Sequence, residues 1–193
     1  MSIFKKLLIT LMLLLAAAGG YYFLYWQNTP AFAAGEIQQA VQKKDWDLFC
    51  KRVDVAKVYS YALDDLLAEL KADGLPEHAI AASLVKSIKK EVVKELIRQT
   101  EIRFKDGAPA SKSLLDKPVK TLTAYAGSSA LSLTDIFKIE EKDGKAIAYV
   151  QLEDKDLSRD FIWQVQLEKD VNGLWTATRI LNFTDYLKER MDG

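Results

Sequence analysis

The first apolar positions form one continuous run. Residues 7–26 carry no charge and follow directly on Lys5 and Lys6. Twenty such residues are about the length that an α-helix needs to cross a ~30 Å hydrocarbon core. The run therefore predicts a membrane-spanning helix at residues 7–26, with residues 1–6 on one side of it and residues 27–193 on the other.

The flanks of this run predict its orientation. Lys5 and Lys6 favour a cytoplasmic N-terminus, and aromatic rings, which favour the bilayer interface, gather at the opposite end of the run. These rings belong to Tyr21, Tyr22, Phe23, Tyr25 and Trp26. We therefore expect a single-pass signal anchor in the cell membrane, with residues 27–193 as an extracytoplasmic domain.

A cleaved signal peptide is the alternative. Ala31-Phe32-Ala33 before Ala34 fits a small-x-small cleavage site, although the apolar run is longer than the ~7–15 residues of a typical signal peptide. Cleavage would give a secreted protein beginning at Ala34. No cysteine follows the run at the position that a lipid anchor requires.

Helical spacing of apolar residues follows the run. Thr29, Asp45 and Asp54 are suitable N-caps, Pro30 and Pro76 suit the first turn of a helix, and Gly74 suits a helix end. The spacing predicts amphipathic helices over Pro30–Lys43, Trp46–Arg52, Val55 to about Ala72, and Pro76 to about Phe104. The last of these is the longest, and its apolar stripe contains Ile80, Leu84, Val85, Ile88, Val92, Leu96 and Ile97.

A loop is predicted at Lys105–Ser113. In the C-terminal third, alternation of apolar and polar residues replaces helical spacing. Four strands are predicted, over Leu131–Glu141, Lys145–Glu153, Phe161–Lys169 and Leu174–Asn182. Asp143-Gly144 and Asn172-Gly173 suit tight turns, and Phe183–Met191 suits a terminal helical turn or short helix. Helices first and strands afterwards predict an α+β fold, with three to four amphipathic helices on a four-stranded antiparallel meander.

Composition adds limits on function. The chain has 193 residues, 49% apolar and 28% charged, with 27 basic and 27 acidic residues. About 160 residues follow the first 30, enough for one domain, and their charge balance shows no basic footprint for nucleic acid. A single cysteine excludes an intrachain disulfide, a zinc site with several thiolates and a CxxC redox pair.

Two reactive residue types occur once each. His78 is the only histidine, and its place in a first helical turn favours a solvent-facing helix residue. Cys50 shares helical spacing with Trp46 and Phe49, which predicts a buried, inert thiol. A Cys-His or Ser-His-Asp scheme would have to use His78.

Two S-x-x-K sequences, Ser83 to Lys86 and Ser87 to Lys90, match the spacing of penicillin-binding enzymes. The accompanying S-D-N and K-T-G motifs are missing, since Leu122 follows Lys120-Thr121. We therefore expect a charged helix surface here.

Asp154, Asp156, Ser158 and Asp160 have the alternating oxygen spacing at the start of a calcium loop. Arg159 replaces the required glycine and Val165 the bidentate glutamate, so a polar hairpin loop is the favoured interpretation.

The remaining polar motifs are weaker. The adjacent pairs Asp64-Asp65 and Glu140-Glu141 point in different directions in a helix or strand, so we expect them to be solvated. Asn182-Phe183-Thr184 is a formal glycosylation sequon. We assign no catalytic, cofactor-binding or metal-binding residue.

The N-terminal 55 residues resemble a bacterial membrane-anchored family catalogued as domain of unknown function 2939. The matching segments are Asn28-Thr29-Pro30-Ala31-Phe32, Ile37-Gln38-Gln39-Ala40-Val41, Lys44-Asp45-Trp46, Phe49, Val53-Asp54 and, near the C-terminus, Trp175 to Ile180. The order of helices and meander is also similar to nuclear-transport-factor-like and cystatin-like cone folds. These folds host enzymes, binders and inert modules, so the resemblance implies no catalytic residue.

Three functions stay open. The favoured one is a non-catalytic, membrane-tethered module that binds an unidentified protein or cell-envelope component. The second is a small-molecule binder or enzyme with a pocket between sheet and helices, and the third is a secreted protein. A filled apolar core behind the sheet would favour the first, and a cavity with buried polar groups the second.

Overall fold

A computed structural model describes residues 3–72, 74–106 and 131–191. Within these ranges the chain forms seven helices and one four-stranded antiparallel sheet, so the α+β prediction is confirmed. The helices are α1 (Ile3–Gln27), α2 (Pro30–Lys43), α3 (Trp46–Arg52), α4 (Val55–Ala72), α5 (Pro76–Ser87), α6 (Lys89–Asp106) and α7 (Phe183–Met191).

The N-terminal helix α1 stands apart from the folded domain. Its stretch Leu7–Gln27 is long and apolar enough to cross a membrane, and none of it is buried in the domain. Asn28 and Thr29 connect it to α2, and Thr29 caps α2 by accepting a hydrogen bond from the Phe32 backbone N–H at 3.2 Å.

The predicted N-caps Asp45 and Asp54 stand at the starts of helices α3 and α4, as expected. Asp45 accepts from the Leu48 backbone N–H at 2.9 Å at the start of α3, and Asp54 accepts from the Lys57 backbone N–H at 3.0 Å at the start of α4. Each carboxylate satisfies a backbone donor that the first helical turn leaves free, which fixes the beginning of the helix.

The predicted helix from Pro76 to about Phe104 is wrong as a single element, because it is broken at Ile88. The Ser87 hydroxyl donates to the Leu84 carbonyl, and the Ile88 N–H bonds three residues back to Val85 instead of four. This local competition with the helical ladder ends α5, and α6 starts at Lys89. The predicted loop at Lys105–Ser113 is wrong at its start, because Lys105 and Asp106 belong to α6. Residues 107–113 of the predicted loop lie outside the described residues.

The sheet is a simple meander of β1 (Leu131–Lys142), β2 (Lys145–Asp154), β3 (Arg159–Lys169) and β4 (Trp175–Ile180). Both predicted turns are present, and Asp143, Gly144 and Gly173 have positive φ angles of 54°, 74° and 77°. The C-terminal residues Phe183–Met191 form a helix, as expected.

Helices cover the inward face of the sheet in two adjoining apolar clusters. The near cluster lies beside the start of α2 and contains Ala33, Trp46, Val53, Val55, Ala146, Ala148, Val150, Leu152, Leu167, Trp175 and Ala177. The far cluster contains Leu63, Leu66, Leu67, Leu70, Ala82, Val92, Leu96, Phe161, Phe183, Tyr186 and Leu187.

Helix α4 connects the two clusters. Val55 at its beginning belongs to the near cluster, whereas Leu63 to Leu70 pack on α7 in the far cluster. Eighteen residues of helix extend about 27 Å, so α5, which follows α4, lies at the end of the domain that is remote from α1.

Candidate functional site

The far end of the domain contains a fully buried carboxylate, Asp154, at the end of β2. Its exposed fraction is 0%. One carboxylate oxygen accepts from the backbone N–H groups of Asp156 and Leu157 at 3.0 and 3.2 Å. The other accepts from the Tyr186 hydroxyl at 2.8 Å and from Arg190 Nη1 at 2.6 Å, both on α7.

These donors hold Asp154 in its charged form. Burial works in the opposite direction, but the hydrogen bonds from Tyr186, the Leu157 N–H and Arg190 bring the pKa of Asp154 below its ordinary value. Burial and the neighbouring carboxylate raise the pKa of Tyr186. A carboxylate whose oxygens accept from four donors is a poor proton acceptor, so this cluster fastens α7 to the β2–β3 turn.

The residues of the predicted calcium-like spacing are engaged elsewhere, as the hairpin-loop interpretation expects. Asp156 pairs with Arg190, Asp160 accepts from the Gln151 amide at 2.8 Å, and Ser158 occupies a left-handed turn position with φ 51°. No group of three or more His, Cys, Asp or Glu side chains within the described ranges is placed to hold a metal ion.

The near end contains a second buried polar link. The indole N–H of Trp175, whose side chain is almost fully buried, donates to the Asn28 carbonyl at 2.9 Å. Arg52 is also buried, pairs with Glu36 on α2, and donates to the Trp175 carbonyl at 3.4 Å. These contacts join the first residue after α1, helices α2 and α3, and the first residue of β4.

The prediction that Cys50 is buried is wrong, because its thiol is exposed. The inward face of α3 is centred on Phe49, whose ring lies 5.6 Å from that of Trp46 and 5.0 Å from that of Phe104. Arg52 takes the remaining inward position, and Cys50 therefore falls outside the apolar face. Partial desolvation and the charges of Glu101 and Asp47 raise the pKa of the thiol, which disfavours the nucleophilic thiolate.

His78 and the S-x-x-K serines do not form a reactive group together. His78 is half-buried in the first turn of α5, by the far cluster, whereas Cys50 lies on α3 by the near cluster. The hydroxyls of Ser83 and Ser87 donate to the carbonyls of Ala79 and Leu84 in their own helix. Their matching lysines, Lys86 and Lys90, are exposed.

The members of each acidic pair point in different directions, as expected, but the prediction that they are solvated is wrong for Asp65, whose side chain is only 16% exposed. Asp64 pairs with Lys89 at 2.7 Å, and Asp65 pairs with Arg179 at 3.2 Å. Glu140 accepts from the Tyr149 hydroxyl at 2.8 Å on the outward face of the sheet. Neither pair brings two carboxylates to one acid-base site.

The sequon asparagine is part of the sheet. The Asn182 side chain accepts from the Gln164 N–H and donates to the Ile162 carbonyl, both at 2.8 Å. It thereby extends the pairing of β3 beyond the last residue of β4. Glycosylation would modify the same side-chain amide that makes these two hydrogen bonds.

Helix α5 is apolar on its outward side, which the sequence pattern did not predict. Ala82 is buried in the far cluster, but Ile80 and Leu84 are 63% and 64% exposed, and Leu75 and Ile88 are also exposed. Ile80 and Leu84 on α5, together with Leu75 and Ile88 at its two ends, are called the α5 face below. Because the predicted apolar stripe assumed one straight helix, it assigned Ile80, Leu84 and Ile88 to the core. These three side chains are exposed, whereas Val85 of α5 and the α6 part of the stripe pack inward.

The inward residues of β2 are covered by helix side chains. The alternate residues Ala146, Ala148, Val150 and Leu152 of β2 are buried in the near cluster. Trp163 packs inward between both clusters and contacts Phe183 and Tyr186, whereas Tyr149 points outward.

Comparison of the chain with protein-family models, with curated proteins and with solved structures finds no match.

Proposed function

We propose that this chain is a bacterial membrane-tethered, extracytoplasmic domain that binds a partner protein or cell-envelope component and catalyses no reaction. The α5 face is the observation that carries the proposal. Large apolar side chains that remain exposed together along one helix and at its ends are typical of interaction sites. This face lies at the end of the domain that is remote from α1, where a second molecule has access to it.

The N-terminal helix supports the tethered form. Its apolar stretch, its two preceding lysines and its aromatic distal end together suit a signal anchor that exports residues 27–193. The alternative of cleavage before Ala34 would divide α2 inside the domain. Ala33 is 0% exposed in the near cluster, and the Thr29 cap and the Asn28 carbonyl would be lost with the leader.

The packing of the sheet supports binding at the surface over a small-molecule pocket. A pocket between sheet and helices needs convergent polar groups in an apolar cavity. The inward residues of β2 pack instead on apolar helix residues. Membership of the domain of unknown function 2939 family, with its cone fold, stays part of this proposal and rests on the sequence segments given above.

A site-specific photocrosslinker tests the proposal in cells of the native host. Placed at Leu84 in the full-length chain, it should give a discrete crosslinked product with another molecule. The matched control is Ile162, an aliphatic side chain that is 50% exposed on β3. Crosslinks at Leu84 only within the chain, or the same products from both positions, would contradict the proposal.

A further inference from the structure

The β3–β4 turn carries an exposed apolar side chain on a fixed backbone. Val171 is 101% exposed. The Asp170 carboxylate accepts from the backbone N–H groups of Asn172 and Leu174, both at 2.8 Å, and Gly173 supplies the positive φ angle that the turn requires. The turn is therefore held in one shape, with Val171 at its tip.

This turn lies beside the end of α1. Trp175, two residues after Gly173, donates its indole N–H to the carbonyl of Asn28, the first residue after α1. Lys169, on the other arm of the turn, pairs with Trp175 across the sheet, and its ammonium group lies 5.2 Å from the centre of the Trp175 ring. Both arms are thus fastened where α1 ends.

Helix α1 ends in residues that favour a membrane interface, Tyr25 and Trp26. The headgroup regions extend a bilayer from about 30 Å to about 40–45 Å, so each is several ångströms deep. A turn that is fastened one residue beyond a membrane-spanning helix is within reach of this layer. A single exposed valine is ordinary on a protein surface, but Val171 is held close to the residue at which α1 ends.

We propose that the β3–β4 turn, residues 170–173, contacts the lipid headgroup layer of the bilayer that α1 spans, with Val171 inserted among the lipids. This inference rests on the membrane anchor of the proposed function. The turn and α1 together restrict the tilt of the domain, so that α5 is held away from the membrane that carries the anchor.

The charges around the turn are compatible with headgroup contact. The carboxylate of Asp170 is engaged by the turn itself, and Glu168 pairs with Lys145 at 2.8 Å. Lys142 and Lys145 flank the β1–β2 turn, which lies at the same end of the sheet because Lys145 is paired with Glu168. Lys145 is engaged by Glu168, whereas Lys142 is exposed and can approach a lipid phosphate.

Spin labels test the depth of the turn in the full-length chain. The background variant is Cys50→Ser, and single cysteines are introduced by Val171→Cys, Leu14→Cys and Lys155→Cys. All three positions are exposed outside the core, so their labels leave the packing intact. The protein is placed in vesicles of phosphatidylcholine and phosphatidylglycerol, and collision rates with oxygen and with a water-soluble nickel complex are measured.

Each position reports on a different claim. Leu14, within α1, should be accessible to oxygen and shielded from nickel. Val171 should collide with nickel several-fold less often than Lys155, which lies on the β2–β3 turn at the other end of the sheet. If Leu14 is in lipid but Val171 is as accessible to nickel as Lys155, the inference is overturned and the anchor stands. If Leu14 itself is accessible to nickel, the proposed membrane anchor fails, and the inference fails with it.

Discussion

The two ends of the domain differ in the buried polar groups that hold them together. At the near end, the neutral indole of Trp175 bonds to Asn28, and the charged Arg52 is paired with Glu36. Both links join elements that are far apart in sequence, and α2 and α3 cover the apolar residues there. At the far end, the charged Asp154 holds α7 in place, while α5 leaves large apolar side chains exposed. The comparison separates an end where buried polar groups link residues distant in sequence from an end where a helix exposes apolar side chains.

Loss of the buried carboxylate should give the largest effect at the far end. We expect Asp154→Ala to lower the free energy of unfolding by about 3 kcal/mol, because Arg190 and Tyr186 lose their buried acceptor. Urea unfolding of the full-length protein in detergent measures this. Asp156→Ala is the control, since Asp156 pairs with the same arginine at the surface and its loss should cost below about 1 kcal/mol. Equal losses in the two variants would contradict the role of Asp154.

Trp175→Phe should give the next largest effect, at the near end. It removes the indole donor to Asn28, and we expect a loss of about 1–2 kcal/mol in the free energy of unfolding. Trp163→Phe is the matched change, because the buried Trp163 Nε1 has no hydrogen-bond partner among the described residues. If Trp163→Phe destabilises the protein more than Trp175→Phe does, the hydrogen bond to Asn28 is not an important link.

Lowering the pH should reduce the free energy of unfolding by protonating Asp154 at the far end. Its pKa is lower in the folded state than the ordinary value of 3.8, so its stabilisation is complete above that value and is lost as the pH falls through the folded pKa. We expect the wild-type free energy of unfolding to fall more steeply below about pH 4 than that of Asp154→Asn. Unfolding curves from pH 6 to pH 2 measure the difference.

Other carboxylates do not confound this comparison. Hydrogen bonds from Lys138 and Tyr149 lower the pKa of Glu140, the hydrogen bond from Lys145 lowers that of Glu168, and backbone N–H groups lower that of Asp170. All three carboxylates are present in both the wild type and Asp154→Asn, so their contributions to the pH dependence of stability cancel in the comparison. Identical slopes for wild type and Asp154→Asn would show that Asp154 does not titrate as described.

The α5 face should show the smallest effect on stability. We expect Leu84→Ser to change the free energy of unfolding by less than about 0.5 kcal/mol, because its side chain is already exposed. Ala82→Leu, on the inward side of the same helix, should cost about 1–3 kcal/mol through overpacking. A large loss in Leu84→Ser would mean that Leu84 belongs to the core and is no binding residue.

Local chemistry explains which elements the sequence predicted well. Thr29, Asp45 and Asp54 cap helices by accepting from a backbone N–H group three residues along the chain. Asn172-Gly173 forms a turn whose hydrogen bonds are all local. The strands were predicted to within two residues for the same reason, since alternation is a local signal.

The errors and omissions arise where distant residues decide the outcome. The partners of Asp154 lie 32 and 36 residues away, and Asn28 lies 147 residues from Trp175. One signal was present for Asp154, because the alternation that points Ala146 to Leu152 inward also points Asp154 inward. The outward side of α5 gave no such signal, since its apolar spacing matches that of a core helix.

Distances between two spin labels test the central claim, that the domain is seated in one orientation on the end of α1. The labels are attached in the full-length chain in lipid nanodiscs, at Leu24→Cys in α1 and Lys155→Cys at the far end, with Cys50→Ser. The Thr29 cap and the Trp175–Asn28 hydrogen bond predict a single narrow distance distribution. A broad distribution, or several separate distances, would show a domain that moves freely on its anchor and would contradict the account.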